Sequence, residues 1–132
     1  MSIRRVIGGS RSKQLKNKDM IRLKTGVSLS GLSVQALLAM RIAEGVYEQH
    51  ERTLWITSVN DSKHSQTSLH YSGNAFDVRT WNLEDVDMAK VVASEIKEAL
   101  GIDFDVIYEH DHRNKESGNN SHIHIEYQPR RK

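Results

Sequence analysis

The chain contains no cysteine. Neither a disulfide nor a thiolate zinc site can therefore hold it together, and any transition metal it takes must be bound by imidazole and carboxylate. It also has no apolar run near the roughly 20 residues of a membrane helix. Its N-terminus lacks the apolar stretch of a secretory signal. These absences predict a protein with no membrane segment, made in the cytoplasm without a signal peptide of its own. Aromatic residues make up only 6% of the chain, and none interleaves with its basic ends. That removes the stacking platform expected of a single-strand nucleic-acid binder.

What is present fits one domain. At 132 residues, folding buries roughly two-thirds of the surface that the unfolded chain exposes, enough for one modest core without staples. The net charge of +2 is small but unevenly placed. Arg4, Arg5, Arg11, Lys13, Lys16, Lys18, Arg22 and Lys24 stand against the single acid Asp19, and Arg130, Arg131 and Lys132 close the chain. Such ends attract phosphate, in nucleic acid or in an anionic wall polymer, or simply stay solvated. Residues 1–25 are read as a basic, flexible arm with few apolar positions, followed by a single domain over 26–132.

Hydrophobic spacing predicts two helices and four strands. Val34, Leu37, Leu38, Ile42 and Val46 recur at helical period behind Ser33, a good N-cap, which predicts a helix over about 34–49 with these residues as its apolar stripe. A second helix is expected after Asn82 and Asp85, with the stripe Met88, Val92, Ile96, Ala99 and Leu100 and a stop at Gly101. Strands are expected at about 53–58, 75–80, 104–108 and 122–128, the last two joined by a polar, hairpin-like connection. Helix, strands, helix, strands is the order of an α+β domain with a small antiparallel or mixed sheet and two main helices. No internal repeat or interdomain linker interrupts it.

Two segments far apart carry the chemistry. SLHYSGNAFD, from Ser68 to Asp77, offers an imidazole at His70 and a carboxylate at Asp77 on either side of the turn residues Ser72, Gly73 and Asn74. HIHIE, from His122 to Glu126, alternates with period two, so that Ile123, Ile125 and the following Tyr127 share one face and His122, His124 and Glu126 the other. His122 and His124 lie about 6–7 Å apart at normal strand rise. Zinc–nitrogen bonds of about 2.0–2.1 Å let one ion take only one of them, leaving the other within reach of substrate or bound water. Three protein ligands leave a fourth position open, as catalytic zinc sites do, and such an ion suits amide hydrolysis.

At these residues the sequence resembles the D-alanyl-D-alanine carboxypeptidase family of zinc peptidases, which shares its fold with hedgehog signalling domains and includes many phage endolysins. The family's first motif, SxHxxGxAxD, is filled at every specified position by Ser68, His70, Gly73, Ala75 and Asp77. Its HxH motif is matched by His122 and His124, and the order of elements agrees over about residues 27–128. The resemblance implies the hedgehog/DD-peptidase fold, one zinc per chain held by His70, Asp77 and His124, and His122 beside the metal, where it stabilises the tetrahedral intermediate or transfers protons. It implies peptidoglycan stem peptides as substrate, cut by a D,D-carboxypeptidase, D,D-endopeptidase or L-Ala-D-Glu endopeptidase. It further implies action on the cell wall after phage-type release or within a virion.

Two departures bear on the chemistry. One branch of the family carries a glutamate base three residues before the last histidine ligand, where this chain has Ser121. Glu109 and Asp111 are therefore alternatives to His122 as base. The family's upstream arginine for a substrate carboxylate is absent, and Lys63 and His64, with Ser68 steadying the motif, are the candidate substrate contacts. The competing expectation is a binding or phage-particle structural module that keeps the fold but has lost catalysis.

Overall fold

The computed structural model describes residues 21–60, 73–110 and 120–129. His70, Ser68, Lys63, His64 and Asp111 lie outside the described residues, as does most of the basic N-terminal arm. Two helices and a five-stranded mixed sheet form an α+β fold. In chain order these are β1 (Ile21–Leu23), α1 (Val34–Gln49), β2 (Leu54–Asn60), β3 (Ala75–Arg79), α2 (Val86–Leu100), β4 (Phe104–Glu109) and β5 (His122–Tyr127). No helix among the described residues is long and apolar enough to cross a membrane.

The sheet order is β1-β2-β3-β5-β4. β1 runs parallel to β2, and every other neighbouring pair is antiparallel. The terminal strand is thus inserted between β3 and β4, with both of its edges paired. Residues Ile21–Leu23, which composition assigns to the arm, pair with Leu54–Ile56 of β2. The Lys24 amide extends this contact by donating to the Ile56 carbonyl at 2.9 Å. Three residues are too few to show a period-two signal, so this start of the sheet lies ahead of the boundary at residue 26.

The helices close as their caps predict. The Ser33 hydroxyl accepts from the Ala36 amide at 3.1 Å, and the Asp85 carboxylate accepts from the Met88 amide at 2.8 Å. Asn82 does not share the second cap: its side-chain amide instead donates to the Thr53 carbonyl at 2.8 Å, tying the helix approach to the start of β2. Gly101 ends α2 with φ +90°, in the region that favours glycine.

The stripe of α1 differs from the expected one. Leu38 is 60% exposed and Val34 66%, with Leu37 and Ile42 also exposed, while Ala36, Ala39, Met40, Ala43, Val46 and Tyr47 are buried. Three alanines let the helix backbone approach its neighbours closely, and the larger Met40 and Tyr47 fill the gaps beside them. Tyr47 also reaches across the core, its hydroxyl donating to the Arg79 carbonyl at 2.7 Å. Chain spacing identifies a helix here, but the apolar residues on its opposite side made the wrong face look like the core.

Both helices contribute to one core with Leu54, Ile56, Phe76, Val78, Ile123 and Ile125 of the sheet. The opposite face of the sheet carries the polar residues of β2, β3 and β5. Full burial of an isoleucine contributes roughly 1.5–3 kcal/mol, and Ile123 and Ile125 are both wholly buried. A one-residue slip of β5 would expose both and drive His122 and His124 into the core, so burial on one face sets the placement of the histidines on the other.

Candidate functional site

Strand pairing assembles the site. Asp77 of β3 faces His124 of β5, Arg79 faces His122, and Glu109 of β4 faces His122 from the other side. Gly73 leads into β3 with φ +74°, and its carbonyl accepts from the Ser33 amide at 2.9 Å. A side chain there would strike the Gly31 carbonyl, so only glycine fits. The second half of SLHYSGNAFD is thus tied directly to the start of α1.

β2 carries an extra residue opposite this strand. Ile56 pairs with Val78, but Ser58, not Thr57, pairs with Asp77. This bulge re-aims Ser58 onto the open face, where its hydroxyl donates to Asp77 Oδ2 at 3.0 Å. The other oxygen, Asp77 Oδ1, lies 2.8 Å from His124 Nδ1, and His124 Nε2 lies 3.0 Å from Glu126 Oε1. Gln128 donates to Glu126 Oε2 at 2.8 Å and completes the row.

His124 is therefore held between two carboxylates. The hydrogen bond to Asp77, against the opposing effect of burial and with added help from Glu126, pushes its imidazole up to about 9. Burial raises the Asp77 carboxyl, but the His124 hydrogen bond, the charges of His122 and His124 and the Ser58 hydroxyl outweigh it and hold it below the usual carboxylate range. In this arrangement a proton occupies the space between Asp77 and His124. A cation bound by both side chains would take that proton's place, because ligation requires neutral imidazole and ionised carboxylate.

His122 occupies a different setting. Its Nε2 lies 2.9 Å from Glu109 Oε1, and its Nδ1 lies 2.9 Å from the Asn120 carbonyl, to which only a ring N–H can donate. Of the alternative bases, Glu109 is brought into contact with His122. Ser121, where one branch of the resembled family has glutamate, is buried, with its hydroxyl 3.3 Å from His110 Nδ1.

A cleft of about 230 Å³ opens beside these residues, lined by Lys24, Thr57, Ser58, Asp77, Arg79, Asn120, Ser121 and His122. Ligand pockets run roughly 300–1,000 Å³, so this cleft accepts one end of a larger molecule. Lys24 and Arg79 give it positive charge, and neither has an acidic partner within ion-pair distance among the described residues. The Arg79 guanidinium lies 6.0 Å from the Trp55 ring centre and 5.6 Å from that of Trp81. Contact with two indoles holds the planar group in place while its N–H edges stay available for a carboxylate.

Of the sequence candidates, Asp77, His122, His124 and Glu109 come together on one face. Ser58, Arg79, Lys24 and Glu126 were not among the candidates. Arg79 follows Asp77 at period two, and Glu126 follows His124 likewise, so alternation contains the signal for both. Ser58 depends on the bulge and Lys24 on the β1–β2 pairing, which no local pattern announces.

No group of three His, Asp or Glu side chains able to hold a metal occurs among the described residues. Asp77 and His124 supply two, and the oxygen and imidazole donors suit zinc. The third expected ligand, His70, lies outside the described residues. The chain matches no protein-family model, no curated protein and no solved structure.

Proposed function

We propose that the protein is a zinc-dependent peptidase that hydrolyses an amide bond in peptidoglycan stem peptides. The observation that carries this reading is the direct apposition of Asp77 and His124 on adjacent strands, with His122 next on the same face beside a positively charged cleft. His70 would join Asp77 and His124 as the third ligand. When bound there, zinc would activate a water and polarise the scissile carbonyl.

The remaining steps belong to this chain's own side chains. With the Nδ1 proton of His122 held on the Asn120 carbonyl, the pair formed by His122 Nε2 and Glu109 takes the proton from the attacking water and returns it to the leaving amine. Arg79 and Lys24 receive a carboxylate of the stem peptide in the cleft, with the planar Arg79 fork giving the directional contact. Lys63 and His64 remain candidates for further substrate contacts. Delivery to the wall by phage-type release or within a virion belongs to the same proposal.

Metal analysis and mass spectrometry of digested muropeptides provide the test. The wild type should hold about one zinc per chain and create new peptide termini, whereas His70→Ala should lose both properties. Folded protein that neither binds added zinc nor cleaves any muropeptide would remove the reading. The buried Ser121 favours a second reading, a binding or particle module without catalysis. Digestion of whole sacculi with excess protein separates the two, since any termini that depend on His122 exclude a purely binding role.

A further inference from the structure

Glu126 has no role in the mechanism above, yet it makes the second contact to His124. Resting on the metal reading of that site, we infer that Glu126 is a positioning residue that keeps the proton on His124 Nε2 and so assigns Nδ1 as the ligating nitrogen. The two ring nitrogens are not equivalent in this fold. Nδ1 points to Asp77, which lines the cleft together with Ser58 and His122, whereas Nε2 points to Glu126, which does not line it. An ion on the Nδ1 side meets both the carboxylate and the space that admits substrate.

The geometry of Glu126 suits this task. Its side chain is only 16% exposed, and its two oxygens are divided between His124 Nε2 and the Gln128 amide. An ionised carboxylate only accepts hydrogen bonds, so Nε2 must be the donor. When an ion replaces the proton shared with Asp77, the imidazole keeps one N–H, and holding it at Nε2 leaves the Nδ1 lone pair to the ion on the cleft side. Carboxylates in this relation fix the tautomer and raise the basicity of a ligating histidine, and their loss typically costs 10–100-fold in metal affinity. The strand repeat makes the arrangement possible, because Glu126 follows His124 by two positions and leaves the sheet on the same face.

Nitrogen-detected correlation spectra of the histidine rings, recorded on the full chain with and without added zinc, test the inference. In the metal-free wild type, a proton on His124 Nε2 should be protected from exchange, and in Glu126→Leu that protection should be lost. With zinc, Nδ1 should carry the metal in the wild type. Competition with a chromophoric chelator should show zinc binding weakened by about 10–100-fold in Glu126→Leu. Glu126→Gln, which keeps an oxygen acceptor, should restore most of it.

Zinc on Nε2, or an unchanged Nε2 proton together with unchanged zinc affinity in Glu126→Leu, overturns the inference. If Glu126→Leu does not fold, Glu126→Ala decides: faster Nε2 proton exchange than in the wild type supports the role, and equal exchange overturns it. If the wild type takes up no zinc, the metal reading fails by itself. The Nε2 proton in metal-free protein then still shows whether Glu126 orients the ring.

Discussion

The two faces of the sheet come from the same strands and differ in almost every physical respect. Toward the helices, Leu54, Ile56, Phe76, Val78, Ile123 and Ile125 are wholly or almost wholly buried. On the opposite face, hydrogen bonds link Ser58, Asp77, His124 and Glu126 in a row, and His122 pairs with Glu109. Each strand thus contributes cohesion on one side and chemistry on the other, because successive residues point in opposite directions. The contrast separates two kinds of failure: loss of a buried side chain weakens the fold, whereas loss of an open-face side chain weakens the site in a fold that persists.

The largest effect expected from breaking this separation comes from the open face. Under the proposed peptidase function, His122→Ala should lower kcat by about 10²–10⁴-fold, the range for removing a general acid–base group. Its thermal unfolding should match the wild type, and a large drop in melting temperature would show that the histidine also supports the fold. Next is Ile125→Ala on the covered face, expected to cost about 2–5 kcal/mol of stability by urea denaturation. Activity per folded molecule should remain near the wild-type value, and a specific loss of kcat in still-folded protein would merge the two faces.

The smallest effect sharpens the comparison at the point where the faces meet. The buried Tyr47 hydroxyl donates to the backbone carbonyl of Arg79, whose side chain belongs to the cleft. Burial raises the Tyr47 phenol above its ordinary value of 10.0. Ionisation is therefore easier in the unfolded chain: below pH 10 this group leaves stability unaffected, and as pH rises above 10 the folded state loses ground. Tyr47→Phe should remove that alkaline sensitivity at a cost of about 1–3 kcal/mol, because the Arg79 carbonyl loses its hydroxyl donor. Denaturation midpoints measured on both sides of pH 10 check this, and equal alkaline slopes in the two proteins would contradict it.

Much of this organisation was legible locally. Alternation in HIHIEY separated Ile123 and Ile125 from His122, His124 and Glu126, and this is the division the fold uses. Ser33, Asp85 and Gly101 marked helix ends because capping depends on residues one turn away. The face of α1 was not legible in the same way. Leu37, Leu38 and Ile42 are more hydrophobic than the alanines opposite them, yet close approach to the neighbouring elements selects the small side chains.

The sequence by itself determined the two helices, four of the five strands and the alternation of faces along β3 and β5, since these follow from backbone period and from capping groups near in sequence. It also marked Asp77, His122 and His124 as candidates. Tertiary structure alone decided that β5 enters between β3 and β4, that a bulge brings Ser58 to Asp77, and that Lys24 and Arg79 border one cleft. Strand order, register and bulges are settled by burying Ile123, Ile125 and their partners under the helices, a balance over the whole domain that no short segment contains.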